Sequence, residues 1–140
     1  MMFRRILVGY DGSDPARKAL QVALDPTRRY NAELMTVAVL QPPEFAEMEA
    51  EVNTALVEAR GPLAGAFRWA REQARRADVH LTLRIHVGHP AEVLVRIAQE
   101  EGFDLIVLGR RELTPVQRWM LGSVSEHVLW YAHCPVMVVH

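Results

Sequence analysis

Arg5-Ile6-Leu7-Val8-Gly9-Tyr10-Asp11-Gly12-Ser13-Asp14-Pro15 joins a short apolar run to a cluster of turn residues. An apolar run of this length without polar alternation is a strand buried on both faces, as in a parallel sheet covered by helices. The turn cluster behind it is a helix start, with Ser13 as the candidate N-cap and Pro15 in the first turn. Helix one then runs from Pro15 to about Tyr30.

The same alternation of strand and helix continues along the chain. Leu34 to Leu40 is a second buried strand, ended by Gln41-Pro42-Pro43. Glu44 to Asp78 is rich in Ala, Glu and Arg and reads as helix; Gly61-Pro62 should kink or split it into pieces near 45–60 and 63–77. Val79 to Val87 alternates strictly: Val79, Leu81, Leu83, Ile85 and Val87 share one face, and His80, Thr82, Arg84 and His86 the other. One wet face marks an edge strand. Gly88-His89-Pro90 turns into a helix from Ala91 to about Glu101. Asp104 to Gly109 is a buried strand, an irregular loop runs from Arg110 to Leu121, Gly122-Ser123 opens a last helix to about Ala132, and Pro135 to Val139 is a final strand.

Five strands alternating with helices call for an open, doubly wound parallel α/β sheet with right-handed crossovers and helices on both faces. The most apolar internal strands, one, two and four, belong in the middle, and the amphipathic third at an edge. The order 3-2-1-4-5 satisfies this. It places the topological switch between strands one and four, where open α/β sheets bind ligands at the carboxyl ends of their strands.

Size and composition agree. The 140 residues fit one ordinary domain, 1–140, with half of them apolar and 24% charged. One cysteine, Cys134, excludes a disulfide framework and a cysteine-cluster zinc site, and fits a reducing compartment. A formal net charge of −1 excludes a whole-chain basic footprint for nucleic acid. Lys18 stands alone against fifteen Arg, a bias that fits either coding composition or heat tolerance. No apolar run approaches the ~18–20 residues of a membrane span, and Ile6 to Val8 is too short for a signal core of ~7–15 residues. The expectation is a cytoplasmic protein with no membrane partner.

At the switch point, Tyr10, Asp11 and Gly12 follow strand one, and Gly109, Arg110 and Arg111 follow strand four. The strongest signal is Gly109-Arg110-Arg111-Glu112, then nine residues, then Gly122-Ser123-Val124-Ser125. Gly122-Ser123 at a helix amino end offers free N–H groups and the positive end of the dipole to an anion. Gly109 lets the loop turn tightly and a ligand approach its backbone. Asp11 is placed to accept hydrogen bonds from sugar hydroxyls or to hold a metal, and Val39 to flank a flat base. Each has a plainer reading. Ser123 with Glu126 is also a capping box, and Asp11-Gly12 is also a simple turn.

These residues resemble the universal stress protein family. The resemblance rests on Ile6 to Ser13, the Val87-Gly88-His89-Pro90 turn, Asp104 to Gly109, Leu121 to Val128, and His133-Cys134-Pro135-Val136-Met137-Val138-Val139. It implies a nucleotide-binding α/β fold and a homodimer. In one branch it implies bound ATP, with Mg2+, held by a Gly, two residues, Gly, nine residues, Gly, Ser or Thr pattern. Gly109 and Gly122-Ser123 match that pattern; the middle glycine is Glu112 here, and the family's usual proline after strand one is Gly9. The nucleotide-binding set so implied is Tyr10, Asp11, Val39, Leu108, Gly109, Glu112, Gly122, Ser123, Val124 and Ser125.

Other motifs carry less. His86-Val87-Gly88-His89 matches the HxGH signature of nucleotidylyl transferases, but it closes an edge strand and no lysine-rich partner motif accompanies it. His80 and His86 lie ~20 Å apart at ~3.3 Å per strand residue, too far for one metal ion. Cys134, beside His133 and near His127, reads as a small buried residue. Arg110, Arg111 and Arg118 screen phosphates or keep a loop soluble, and Trp69, Trp119 and Trp130 read as core or interface.

The expectation is a homodimeric, ATP- or nucleotide-binding regulatory or stress-survival factor. It is no enzyme beyond slow ATP hydrolysis. The alternative is a dimeric interaction module of the same family that binds no nucleotide. In both, Val136 to Val139 forms an apolar sheet edge that a second copy would cover.

Overall fold

Ile6, Leu7 and Val8 are completely buried, and the strand they form, β1 (Arg5–Gly9), is the centre of the molecule. A computed structural model describes residues 2–41, 49–110 and 123–140, the stretch 49–60 by its backbone alone. In it β1 is followed by α1 (Asp14–Tyr30), β2 (Glu33–Leu40), α2 (Glu49–Arg76), β3 (Leu81–Val87), α3 (Pro90–Glu101), β4 (Leu105–Gly109), α4 (Ser123–Tyr131) and β5 (Val136–Val139). The sheet order is β3-β2-β1-β4-β5, with every pairing parallel. The expected order 3-2-1-4-5 and the two edges are therefore as the hydropathy pattern requires.

The period of two along each strand divides the core between the two faces. Ile6, Val8, Leu34, Ala38, Leu105 and Val107 meet α1 and α2. Leu7, Met35, Val37, Ile106 and Leu108 meet α3 and α4. Register fixes which strand ends lie side by side: Gly9 pairs with Val37, and Val8 with Val107.

Two expectations need correction. Gly61-Pro62 does not divide the second helical region, since α2 runs unbroken from Glu49 to Arg76. Both Gly61 and Pro62 lie on the exposed face. On an exposed face the carbonyl that proline leaves without an N–H partner is open to solvent. The third strand starts at Leu81 rather than Val79. The Val79 N–H still bonds the Ala74 carbonyl, and Asp78 takes a left-handed turn at φ 57°, so the helix end consumes those residues. The apolar face of β3 is covered only in part: Leu81 and Leu83 pack on the core, while Ile85 and Val87 are each 45% exposed.

Candidate functional site

A cleft of about 790 Å³ opens where the carboxyl ends of β1 and β4 diverge. Its floor is apolar: Val37 and Val39 from β2, Leu94 from α3 and Leu108 from β4. One wall is the β1–α1 turn with the first turn of α1, through Asp11, Ser13, Asp14 and Pro15. The opposite wall is the amino end of α4, through Ser123, Val124 and Ser125. Pro90, at the start of α3, closes a third side.

The β1–α1 turn is held by its own polar groups. Asp11 Oδ1 accepts the Ser13 N–H at 2.9 Å. Ser13 is the N-cap, its Oγ accepting the Ala16 N–H at 3.3 Å, and its carbonyl accepts the Arg17 N–H at 2.9 Å. Pro15 has no N–H to offer. The amino end of α1 is thus largely satisfied from within, in the manner of an Asx turn running into a capped helix.

Of the ten residues expected at the site, Tyr10, Asp11, Val39, Leu108, Gly109, Ser123, Val124 and Ser125 line the cleft. Glu112 and Gly122 lie outside the described residues, as do Arg111, Arg118 and Trp119. Two of the eight play a different part from the one expected. Tyr10 is 3% exposed. Its ring stacks on Phe67 of α2 and its hydroxyl donates to the Ala66 carbonyl at 2.8 Å. Only its backbone faces the cleft, because it shares the side of the sheet with Ile6 and Val8. Burial pushes its phenol above the usual range, against the pull of Arg17.

Gly109 has no positive φ, so a tight turn is not what demands glycine. A Cβ there would fall inside the Pro15 carbonyl and 2.8 Å from the Ala16 nitrogen. The residue is bare because the first turn of α1 lies directly on it. Gly12 does carry a positive φ of 83°, and a Cβ on it would stand 2.7 Å from the Ala66 Cβ.

Sequence reasoning missed Val37, Leu94, Pro90 and Asp14. Parallel pairing with Gly9 would have found Val37, and the buried face of α3, which carries Val93, Leu94 and Ile97, would have found Leu94. The HxGH stretch lies where expected, on edge strand β3, with His86 paired to Val39 and His89 at the α3 N-cap, its side chain making no capping bond. Trp69 packs on the α1/α2 core with the Arg17 guanidinium 5.1 Å from its ring centre. Cys134 is half-buried, and burial, helped by Asp104, raises its thiol pKa. Among the described residues no group of three or more His, Cys, Asp or Glu could hold a metal ion. No helix among them is long and apolar enough to cross a membrane.

Known proteins resemble the whole chain. The sequence profile of the universal stress protein family matches residues 2–140. A universal stress protein of Thermus aquaticus is 36% identical over 142 residues, covering 99% of each chain. The structure of universal stress protein UspA from Lactobacillus plantarum superposes with a TM-score of 0.82 at 25% identity, over 100% of this chain and 99% of that one. A universal stress protein crystallised in complex with cAMP superposes with a TM-score of 0.79 at 28% identity, over the same shares. Matched from end to end in sequence and in backbone, the chain belongs to the universal stress protein family.

Proposed function

We propose that the whole chain, as one domain, binds a nucleotide of the ATP class in this cleft and acts as a cytoplasmic regulatory or stress-survival factor rather than as an enzyme. The observation that carries the reading is the make-up of the cleft: an apolar floor, a carboxylate on one wall and a helix amino end on the other. A flat base fits against Val37, Val39, Leu94 and Leu108. Asp11 accepts from ribose hydroxyls, and the first N–H groups of α4 at Ser123 to Ser125 meet a phosphate. By family pattern Gly122 joins the set, and Glu112 stands where the family pattern has glycine. A triphosphate would bring Mg2+ as its counter-ion. The cAMP complex of a relative at 28% identity supports the nucleotide class. Among the described residues the lining holds no His, Cys or Lys, and in this reading hydrolysis is at most slow.

The same reading makes the protein a homodimer through β5. That strand is a sheet edge, its residues are apolar, and Met137 on it is 36% exposed. Pairing with a second copy about a two-fold axis would cover it. The alternative, an interaction module without nucleotide, is favoured by one observation: Leu129, Trp130 and Tyr131 stand exposed in succession at the end of α4.

Mass spectrometry of small molecules released from protein purified without added nucleotide separates the two. Calorimetry on Asp11→Ala then tests the site. Loss of a hydrogen-bonding carboxylate costs about 1.5–3 kcal/mol, or roughly ten- to a hundredfold in Kd. Unchanged affinity with a lowered melting temperature would make Asp11 a turn residue only.

A further inference from the structure

Trp130 on α4 is 78% exposed and Tyr131 beside it 62%. Their neighbour Val128 is completely buried in the core. Two residues carry a helix about 200° round, so Trp130 points out to solvent, away from the sheet. Tyr131 and His127, their rings 4.7 Å apart, form one side of a groove of about 480 Å³ whose other side is α3, through Val95, Arg96 and Gln99. Glu92, Arg96 and Glu100 stand about one turn apart along this exposed row of α3. Among the described residues none of the three is in an ion pair, although their spacing would let them pair along the helix. Bulky aromatic surface thus lies next to unpaired charges of both signs.

Pro90 at the start of α3 and Ser123 at the start of α4 both line the cleft, so the two helices descend side by side from one level. Tyr131, eight residues below Ser123, is then level with Ala98, eight below Pro90. A two-fold axis at that level lays α3 antiparallel to the α3 of a second copy. It sets Arg96 against Glu100 of that copy and Glu100 against its Arg96, and brings the two Trp130 side chains together beside the axis. An axis opposite Arg96 would instead set Arg96 on Arg96 and Glu92 on Glu100. The level of the aromatic residues therefore selects the register in which the charges match. We propose that this α3/α4 face is a self-docking surface, occupied by another copy of the chain in that register. It is separate from the β5 edge and holds whichever reading of the cleft is right. With β5 also paired, each chain would carry two self-contacts, and dimers would join into tetramers or rows.

Sedimentation equilibrium on the full chain carrying Val138→Lys, which silences β5, decides it. Aromatic anchors flanked by exposed ion pairs make a small, weak interface, with dimers expected at about 0.1 mM. Trp130→Ser, at a site too exposed to disturb folding, should weaken that dimer about tenfold. Arg96→Glu and Glu100→Arg should each weaken it when alone. Mixed in equal amounts, the two should associate as tightly as the parent, since each then meets opposite charge on the other. A merely structural role for either residue would give no such rescue. A parent protein still monomeric at about 1 mM, as expected of a face built for a different partner, overturns the proposal. So does a mixture that associates no more tightly than its components.

Discussion

Tyr10 Oη and the Ala66 carbonyl, 2.8 Å apart, tie a residue of the cleft lining to the middle of α2. The phenol ring stacks on Phe67 with centroids 6.4 Å apart, and the Arg17 guanidinium lies over Trp69. The outer layer of the molecule is therefore fastened to the back of the β1–α1 turn. Tyr10→Phe keeps the stacking and removes the bond. The cost should be about 1 kcal/mol, a melting temperature lower by about 4 °C. Thermal denaturation of both proteins measures it.

Gly109→Ala distinguishes a packing glycine from a turn glycine. Its backbone needs no positive φ, so a turn glycine would tolerate alanine. The new Cβ instead meets the backbone of Pro15 and Ala16, which cannot rotate aside as a side-chain tip would. Overpacking of that kind costs about 3 kcal/mol, the upper end of the usual range. Urea unfolding should show the loss, with a matching fall in nucleotide affinity as α1 is lifted from the cleft.

Val138 pairs with Leu108 on one side of β5, while its other side is the sheet edge. A lysine there opposes a like charge across any two-fold strand pair. Val138→Lys should turn a dimer into a monomer at micromolar concentration in sedimentation velocity, with little change in monomer stability.

Arg84 on β3 and Glu101 at the end of α3 form an ion pair at 2.7 Å. The hydrogen bond from Arg84 holds the Glu101 carboxyl below the usual glutamate range, with Arg5 and His86 assisting. A carboxyl whose pKa is lowered by folding stabilises the fold above the unfolded value, and that stabilisation is lost as pH falls through it. Glu101→Gln should therefore cost about 0.5 kcal/mol at neutral pH, as for a partly exposed pair. The difference should vanish below the glutamate range, which urea midpoints across pH would reveal.

The strand order is legible in the sequence because hydropathy sorts the strands physically: the doubly buried runs must be central and the alternating one must be an edge. The cleft is legible for the same reason, since its position follows from the order. Side-chain roles within it are harder to read. Tyr10 looks like a site residue because it follows β1, but its parity with Ile6 and Val8 sends its ring to the other face. Gly109 looks like a loop glycine because the helix that requires it lies far upstream in the chain. Pro62 looks like a break because its exposure depends on which way α2 rolls against the sheet, and that is a tertiary fact.

Pairing of β1 with β4 has a consequence for the order in which the molecule is made. Arg5 and Asp104, joined by a backbone-to-carboxylate bond, are 99 residues apart along the chain. While the chain is being synthesised, β1 finds β2 early but waits with its other edge open until β4 arrives. During that interval an apolar strand edge is available to any passing chain, the usual opening for aggregation. Contacts so distant in sequence also slow the search for the native state. The two walls of the cleft come from opposite sides of that gap, so no nascent or truncated chain ending before β4 has a site to fill. On the proposed nucleotide reading, ligand capture would mark completed folding, and a ligand present at that moment would favour closure of the sheet.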